Sequence, residues 1–501
     1  VTVTLVVGAG ISGLSAARSL AVAAGAQEKI IVCDAAPRLG GKLHRTTLDD
    51  PADLDRLPSS PDPHSKIPDP HSKIPEPVEG HPTPFTVDVG AESLLARRPE
   101  GLQLITDLGL DDQRVHPTAA RAQAFLDGRI TPLPPSNMGI PTDLDALVGY
   151  LSADGLRRAR SEVDRDAPAL PGDVPIGVYV AQRFGDEVTD RLLEPMLGGV
   201  YAGQSRRLSF EAVHPALFAA TRRGGSLLAA AQQVAAAARR SNDQSTGTAP
   251  PVFAGLAGGV GGVITALEDD LVRRGVTILR STTVRELRRD GGRFAVITGP
   301  VPAPESIMVD RIVLATPAAA TARLLADLAP TAADALAQIP YASMAVISFV
   351  VAGADLAGSG LLVPPGELPT IKAFTYSSNK WDWIAERAEQ RFGPGTAVVR
   401  ASVGRFGEEQ LLQVDDRELA RRTLAEARVV PGWADARPLR VRVQRWGGGL
   451  PQYLVDHRAR VQTIRAAVAD VGGVAVAGAY LDGVGIPACI ASGERAVRDL
   501  G

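Results

Sequence analysis

A short uncharged run, Val3 to Val7, meets glycine at once and then gives way to an Ala- and Leu-rich stretch from Ile11 to Ala24. A run of that length bounded by a turn reads as a buried strand, and the stretch behind it as a helix. Lys29 to Cys33 repeats the strand pattern. Gly101 to Leu110 and then Asp143 to Phe184 read as helical, with acidic and basic residues mixed on their polar faces. Val276 to Thr298 alternates as two or three short strands, with Asp290-Gly291-Gly292 as a hairpin turn. Arg311 to Pro317 is a further buried strand ending in a turn, followed by an Ala-rich helix. Met344 to Val351 and Thr396 to Val403 predict strands of a second sheet, Val474 to Gly478 is again a buried strand, and a last helix runs from about Pro487 to Leu500. Strands alternating with helices predict an α/β fold.

One stretch breaks the pattern. Pro51 to Pro84 holds ten prolines and a direct repeat, Pro61 to Ile67 and then Pro68 to Ile74. Proline fixes φ and removes a donor, so neither a helix nor a central strand runs through it, and an exposed insertion is expected. It carries His64, His71 and His81. A repeat expanded in a tolerant surface loop accounts for these histidines better than a metal site does.

Composition narrows the function. With 53 basic against 56 acidic residues the net charge is -3. Nucleic-acid binders concentrate positive charge, so no nucleic-acid partner is expected. Two cysteines, Cys33 and Cys489, exclude a disulfide scaffold and a multi-cysteine zinc site, and no metal is expected. The first apolar run lacks a basic segment before it, and Met344 to Ala354 is about half the length of a membrane helix. A soluble, cytoplasmic protein is the expectation, with peripheral membrane contact left open.

The chemistry concentrates in glycine-rich turns. Gly8-Ala9-Gly10-Ile11-Ser12-Gly13 joins the first strand to the first helix. In this pattern the first glycine makes the tight turn, the second lets the backbone approach a pyrophosphate, and the third lets helix and strand pack. The helix start offers free N–H groups to phosphate. Asp34 follows the second strand, where an acid accepts from a ribose diol. Pro37-Arg38-Leu39-Gly40-Gly41 adds a second glycine turn, and Gly478 to Pro487 opens the last helix at the far end of the chain. Two separated glycine patches, each opening a helix, suit a long dinucleotide held between them and favour FAD over NAD.

In order along the chain, Gly8–Gly13, Asp34–Gly41, Phe85–Ser93, Phe253–Gly262, Ile312–Pro317, Leu450–Tyr453 and Gly478–Gly493 resemble the protoporphyrinogen/coproporphyrinogen oxidase family, a branch of the flavin amine oxidase-like flavoproteins. Gly198–Gly203 and Tyr376–Trp381 strengthen the likeness. The resemblance implies a discontinuous Rossmann-like FAD-binding domain with an inserted α+β substrate-binding domain and a helical subdomain. The division it suggests gives residues 1–50, 213–317 and 455–501 to the FAD domain. Residues 51–84 form the insertion, 85–98 a junction, 99–212 the helical part and 318–454 the substrate part.

The same resemblance implies oxidation of a porphyrinogen with FAD and molecular oxygen, releasing hydrogen peroxide, and in particular coproporphyrinogen III oxidation in haem synthesis. A transient contact with the next haem-pathway enzyme is compatible with it. The alternatives are protoporphyrinogen IX oxidation, a flavin amine oxidase and a non-catalytic binding protein on the same scaffold. Carried over, Gly8, Gly10, Gly13, Asp34, Arg38, Gly40 and Gly41 surround the ADP half of FAD, and Val284 meets adenine through its backbone. Val484, Gly485 and Ile486 lie beside the flavin, and Ile11, Ser12, Lys42, Thr316 and Gly478 complete the cofactor set. A wide apolar substrate edged by carboxylates asks for a large pocket with arginine at its rim. Arg97 and Arg98 are the rim candidates, with Lys380 and Tyr453 as further substrate contacts. His457 reads as a helix-capping residue and Cys489 as a small buried thiol, while Arg222 and Arg223 have no role in this scheme. Trp446-Gly447-Gly448-Gly449 departs from the family pattern and is expected to reshape the substrate pocket.

Overall fold

The computed structural model describes residues 1–23, 28–48, 84–165, 168–246 and 251–500. All of the proline-rich insertion but Pro84 lies outside the described residues. Its two ends are placed, however. The strand Arg45–Thr47 pairs antiparallel with Thr86–Asp88, and the Leu48 N–H donates to the Phe85 carbonyl at 2.8 Å. The chain therefore leaves and returns at adjacent points of one hairpin.

The cofactor lobe is built on a five-stranded parallel sheet, ordered Thr277–Leu279, Glu28–Cys33, Thr2–Val7, Arg311–Leu314, Val474–Val476. Every neighbouring pair is parallel. Such sheets are covered on both faces, which is why their strands read as unbroken apolar runs. Hydrophobic clusters lie on either side, one under Leu14, Leu20, Leu267 and Ile490 and the other under Leu325, Leu336, Ile464 and Tyr480. The helices Ile11–Ala23 and Ile486–Asp499 run against each other at Gly493, where an added Cβ would lie 2.1 Å from the Ser12 carbonyl oxygen. Sequence-distant pieces thus meet in one sheet, and the lobe is discontinuous.

A second, seven-stranded sheet runs in the order Arg437–Pro451, Tyr341–Ala352, Thr396–Val403, Ile371–Tyr376, Gly360–Leu362, Ala122–Leu126, Arg129–Pro132. One face packs on the helix Asp416–Ala427 through Phe374, Val399, Leu419 and Trp433. From the other face Val350 and Val398 pack on Phe85, Val87 and Val89. Ala124 and Leu126 bury against the helical part, whose core holds Tyr179, Phe184, Leu197 and Phe210. The two strands between 122 and 132 therefore tie the helical part into this sheet.

The region 143–184 is not one helix. It holds 3₁₀ turns at Asp145–Leu147 and Ser161–Asp164 and helices at Ala153–Arg160 and Ile176–Phe184. Pro168, Pro171 and Pro175 fall before the last of these, and each removes a backbone donor. Buried charge pins the pieces: Glu162 receives Arg183 at 2.7 Å, the Leu227 N–H at 2.7 Å and the Ser226 hydroxyl at 2.8 Å. The expected hairpin is present, with Asp290 opposite Arg293 and Gly291 at φ +59°. Among the described residues no helix is long and apolar enough to cross a membrane.

Candidate cofactor and substrate site

The first glycine turn does three separate jobs. Gly8 stands at φ +102°, and a Cβ there would lie 2.8 Å from the Ala315 carbonyl oxygen of the neighbouring strand connection. At Gly13 a Cβ would fall 1.9 Å from the Gly8 oxygen, so only glycine lets the helix start this close to the turn. Gly10 is the opposite case: a Cβ there would meet nothing within 4 Å. Its open side faces a cavity of about 630 Å³.

The second glycine turn closes on the first. Gly40 donates its N–H to the Ala9 carbonyl at 2.8 Å, and Gly10 and Gly40 form a parallel bridge. Asp34 sits between the two turns, its carboxylate accepting from the Ala9 N–H at 2.6 Å and the Ala36 N–H at 2.7 Å. A carboxylate has about four acceptor sites, so two bonds fix its position and leave capacity for a diol. The Asp34 backbone also holds the loop 282–285, with the Thr282 N–H donating to its carbonyl at 2.8 Å.

Of the cofactor residues expected from the sequence, all but Gly13, Arg38 and Gly485 line this one cavity. Gly13 acts through packing, as above. Arg38 donates to the Gly41 carbonyl at 3.0 Å and braces the second turn, and Gly485 is the N-cap of the last helix. At the far end Val484, Ile486 and Cys489 join Ala91, Tyr341, Gly449 and Leu450. Thr283 and Arg285 flank the expected Val284 on the same wall, whereas Tyr341 does not stand out in the sequence. The glycine run before Pro451 has a visible purpose: the long strand bulges there, with Gly448 at φ +54° and its N–H on the Ser343 hydroxyl at 3.0 Å. Gly449 and Leu450 thereby become cavity wall.

These features meet the demands of a bound dinucleotide. The open side of Gly10 gives a pyrophosphate room to approach, a helix N-terminus faces the same cavity, an oriented acid stands where a ribose is read, and a second helix start closes the other end. The residues fit FAD.

Beside Ala91 lies a charge cluster that the sequence did not reveal. Glu92 is buried and takes the Trp381 indole N–H at 2.7 Å, the Ser377 hydroxyl at 2.8 Å, Arg400 at 2.8 Å and Lys380 at 3.2 Å. Burial pushes its carboxyl up, but Lys380, Arg400 and the indole outweigh that and hold it well below the usual carboxylate range. Arg400 also donates to the Gly90 carbonyl at 2.5 Å. Glu92 and Gly90 belong to the junction, whereas the donors belong to the second sheet and the turn beyond it, so the cluster clamps one lobe to the other.

The substrate candidates are dispersed. Arg97 is exposed and has no carboxylate partner among the described residues, and its charge adds to the burial that pushes His214 down to about 4. Arg98 pairs with Glu100 at 2.6 Å, and Lys380 is committed to Glu92. Tyr453 is buried, stacks on His457 at 3.9 Å and donates its hydroxyl to the Ala479 carbonyl at the cavity wall. Burial pushes its phenol well above the ordinary value. His457 begins the helix His457–Ala469, with Nε2 3.2 Å from the Leu481 carbonyl oxygen; burial pushes it down to about 4. Burial likewise raises the Cys489 thiol, which behaves as a small buried group.

Comparison with known proteins places this architecture. A coproporphyrinogen III oxidase of Mycobacterium tuberculosis is 35% identical over 506 aligned residues, covering 99% of this chain and 96% of its own. The human protoporphyrinogen oxidase is 26% identical, covering 98% and 97%. A solved Exiguobacterium structure, described as a protoporphyrinogen oxidase, superposes with a TM-score of 0.78 at 27% identity, covering 100% of this chain and 98% of its own. The sequence pattern of the flavin containing amine oxidoreductases matches residues 11–501, and with the glycine turns, the oriented Asp34 and the discontinuous parallel sheet in place, the chain belongs to that family.

Proposed function

We propose that the protein oxidises coproporphyrinogen III to coproporphyrin III, with oxygen as the final acceptor and hydrogen peroxide released. The reading rests on one observation above the others: the match to a coproporphyrinogen III oxidase, at 35% identity overall, covers 99% of the chain. The protein is an oxidoreductase and its cofactor is FAD. FAD, when bound, supplies the two-electron acceptor that the side chains of this protein lack.

The chain's own residues bind and orient. Gly8, Gly10 and the start of the first helix hold the pyrophosphate, and Asp34 holds the ribose. The backbone around Val284 would hold the adenine, and the amides at Val484 to Ile486 would stabilise charge on the reduced ring. Glu92 neutralises Lys380 and Arg400 and keeps the Gly90–Glu92 turn against the cavity. The substrate is an apolar macrocycle with carboxylates on its edge. Among the rim candidates Arg97 is the one with a charge still to satisfy, and we assign it a propionate. The reaction is placed in the cytoplasm, and the product passes to the next haem-pathway enzyme by transient contact.

Protoporphyrinogen IX is the competing substrate, as the human relative indicates. Initial rates with both porphyrinogens, followed by porphyrin fluorescence, separate the two readings. A higher kcat/KM for coproporphyrinogen III is expected; a clear preference for protoporphyrinogen IX would overturn the assignment.

A further inference from the structure

A second cavity, of about 640 Å³, opens on the helical part and is lined by Ala169, Leu170, Pro215, Phe218 and Ala219, with Glu211, Arg222, Arg223 and Arg458 around them. None of these residues lines the cofactor cavity. Its volume falls within the range of small-molecule pockets, roughly 300–1,000 Å³. The floor is apolar and fixed: Phe218 is buried and stacks edge-on against Phe210 at 5.5 Å, and Leu170 is tied to the rim by its N–H on the Arg222 carbonyl at 3.1 Å.

The rim is cationic. Arg458 touches Glu211 only loosely, at 3.7 Å with more than half of its side chain exposed. Arg222 and Arg223 are exposed and carry no carboxylate partner among the described residues, although this chain pairs many of its other arginines. Among the described residues, three guanidinium groups against one carboxylate leave the cavity positive over an apolar floor. Free phosphate would leave that floor unused, and a neutral apolar molecule would leave the arginines unanswered. The complementary chemistry is a molecule with carboxylates on an apolar frame.

We propose that this cavity is a second, non-catalytic binding site for an apolar polycarboxylate, and that its occupant is the reaction's own macrocyclic product. The identity of the occupant rests on the proposed function; the class of ligand does not. The site also adjoins the catalytic half. Arg458 follows His457, which stacks on Tyr453, whose hydroxyl reaches the carbonyl of Ala479 in the cofactor cavity. A product held at the surface would remain attached to the enzyme without blocking the next substrate.

The test uses the FAD-loaded protein titrated with coproporphyrin III, with stoichiometry by calorimetry and affinity by fluorescence anisotropy. Two sites per chain are expected. Arg222→Glu with Arg223→Glu should weaken one of them roughly tenfold or more, about 1.4 kcal/mol per tenfold. Ala219→Trp should weaken the same site by crowding its floor, with no change of charge. Both variants should keep their flavin spectrum and their initial rate on coproporphyrinogen III. A single wild-type site, or two variants that bind like the wild type, would overturn the proposal. So would arginine-dependent sedimentation with phosphatidylglycerol vesicles in a protein that binds porphyrin only once, since the surface would then be a membrane contact. If turnover of coproporphyrinogen fails while arginine-dependent porphyrin binding persists, the proposed function falls and this site stands.

Discussion

Gly10 and Gly13 lie three residues apart in one turn, yet the structure assigns them opposite failures. Valine at position 10 places its side chain where no heavy atom lies within 4 Å, so the flavin-free protein should accommodate it. Exchanges that disturb no packed or bonded group stay within about 0.5 kcal/mol. What valine removes is the approach of the pyrophosphate. A ligand present at a hundredfold excess over its Kd stabilises its protein by about 2.7 kcal/mol, and at a thousandfold by about 4.1 kcal/mol. Gly10→Val should lose that increment entirely. Alanine at position 13 instead drives a Cβ to 1.9 Å from the Gly8 oxygen and 3.1 Å from the Ala315 Cβ. No rotamer relieves a backbone collision, and overpacking of this kind costs roughly 1–3 kcal/mol or more before any flavin is considered. The assay is urea unfolding of apoprotein with and without added FAD, together with the flavin-to-protein absorbance ratio after purification. Gly10→Val should match wild-type apoprotein and ignore FAD; Gly13→Ala should start lower. A flavin-replete Gly10→Val, or an apoprotein as unstable as Gly13→Ala, would refute this division of labour.

Glu92→Gln should destabilise the protein by up to about 3–5 kcal/mol, because it leaves the half-buried Lys380 and Arg400 without the carboxylate they share; denaturant unfolding checks it, and a loss below 1 kcal/mol would show the clamp to be idle. Lys372 is buried without a partner for its ammonium, and burial first, then Arg405, push it down to about 7 from 10.5. Between those values the unfolded chain holds a proton that the folded chain lacks, so stability should rise with pH across that window, and Lys372→Met should flatten the slope in unfolding curves at several pH values. Arg97→Ala should raise KM for the porphyrinogen with kcat little changed, by a factor set by the roughly 1.5–3 kcal/mol of a charged hydrogen bond; an unchanged KM removes Arg97 from the site. Replacing residues 49–83 by a short turn should leave flavin content and turnover intact, since Leu48 and Phe85 are already hydrogen-bonded neighbours.

The parallel sheet was legible because its information is local. Thr2–Val7, Arg311–Leu314 and Val474–Val476 are each buried on both faces, and a strand of that kind announces itself without reference to its neighbours. The glycine turn was legible because two of its demands are local: Gly8 takes φ +102° and a Cβ at Gly13 would lie 1.9 Å from the Gly8 oxygen, whereas Gly10 is open on its cavity side. The reading failed where the deciding partner was distant. The polar and apolar spacing of 143–184 resembles a helix, but three prolines and the ion pair of Glu162 with Arg183 set the actual path. Nothing near Ala122–Leu126 says that it pairs with Gly360–Leu362, more than two hundred residues on.

Charge was the least legible property of all, and the reason bears on the site. The chain has 53 basic residues, and an anionic substrate needs only a few of them, so the useful question is which cations are still unneutralised once the chain has folded. Sequence cannot separate Lys380 from Arg97, because both are exposable bases near family motifs. Folding separates them: Lys380 shares a carboxylate with Arg400, while Arg97 is exposed and finds no carboxylate among the described residues. The same sorting singles out Arg222 and Arg223, which had no part in the dinucleotide motifs and remain free beside an apolar cavity. A buried pair is already desolvated and gains little from a second anion, whereas an exposed guanidinium over an apolar wall gains both contact and charge when a carboxylate arrives. Recognition of an apolar polycarboxylate on this fold should therefore be sought among the arginines that the fold left unpaired.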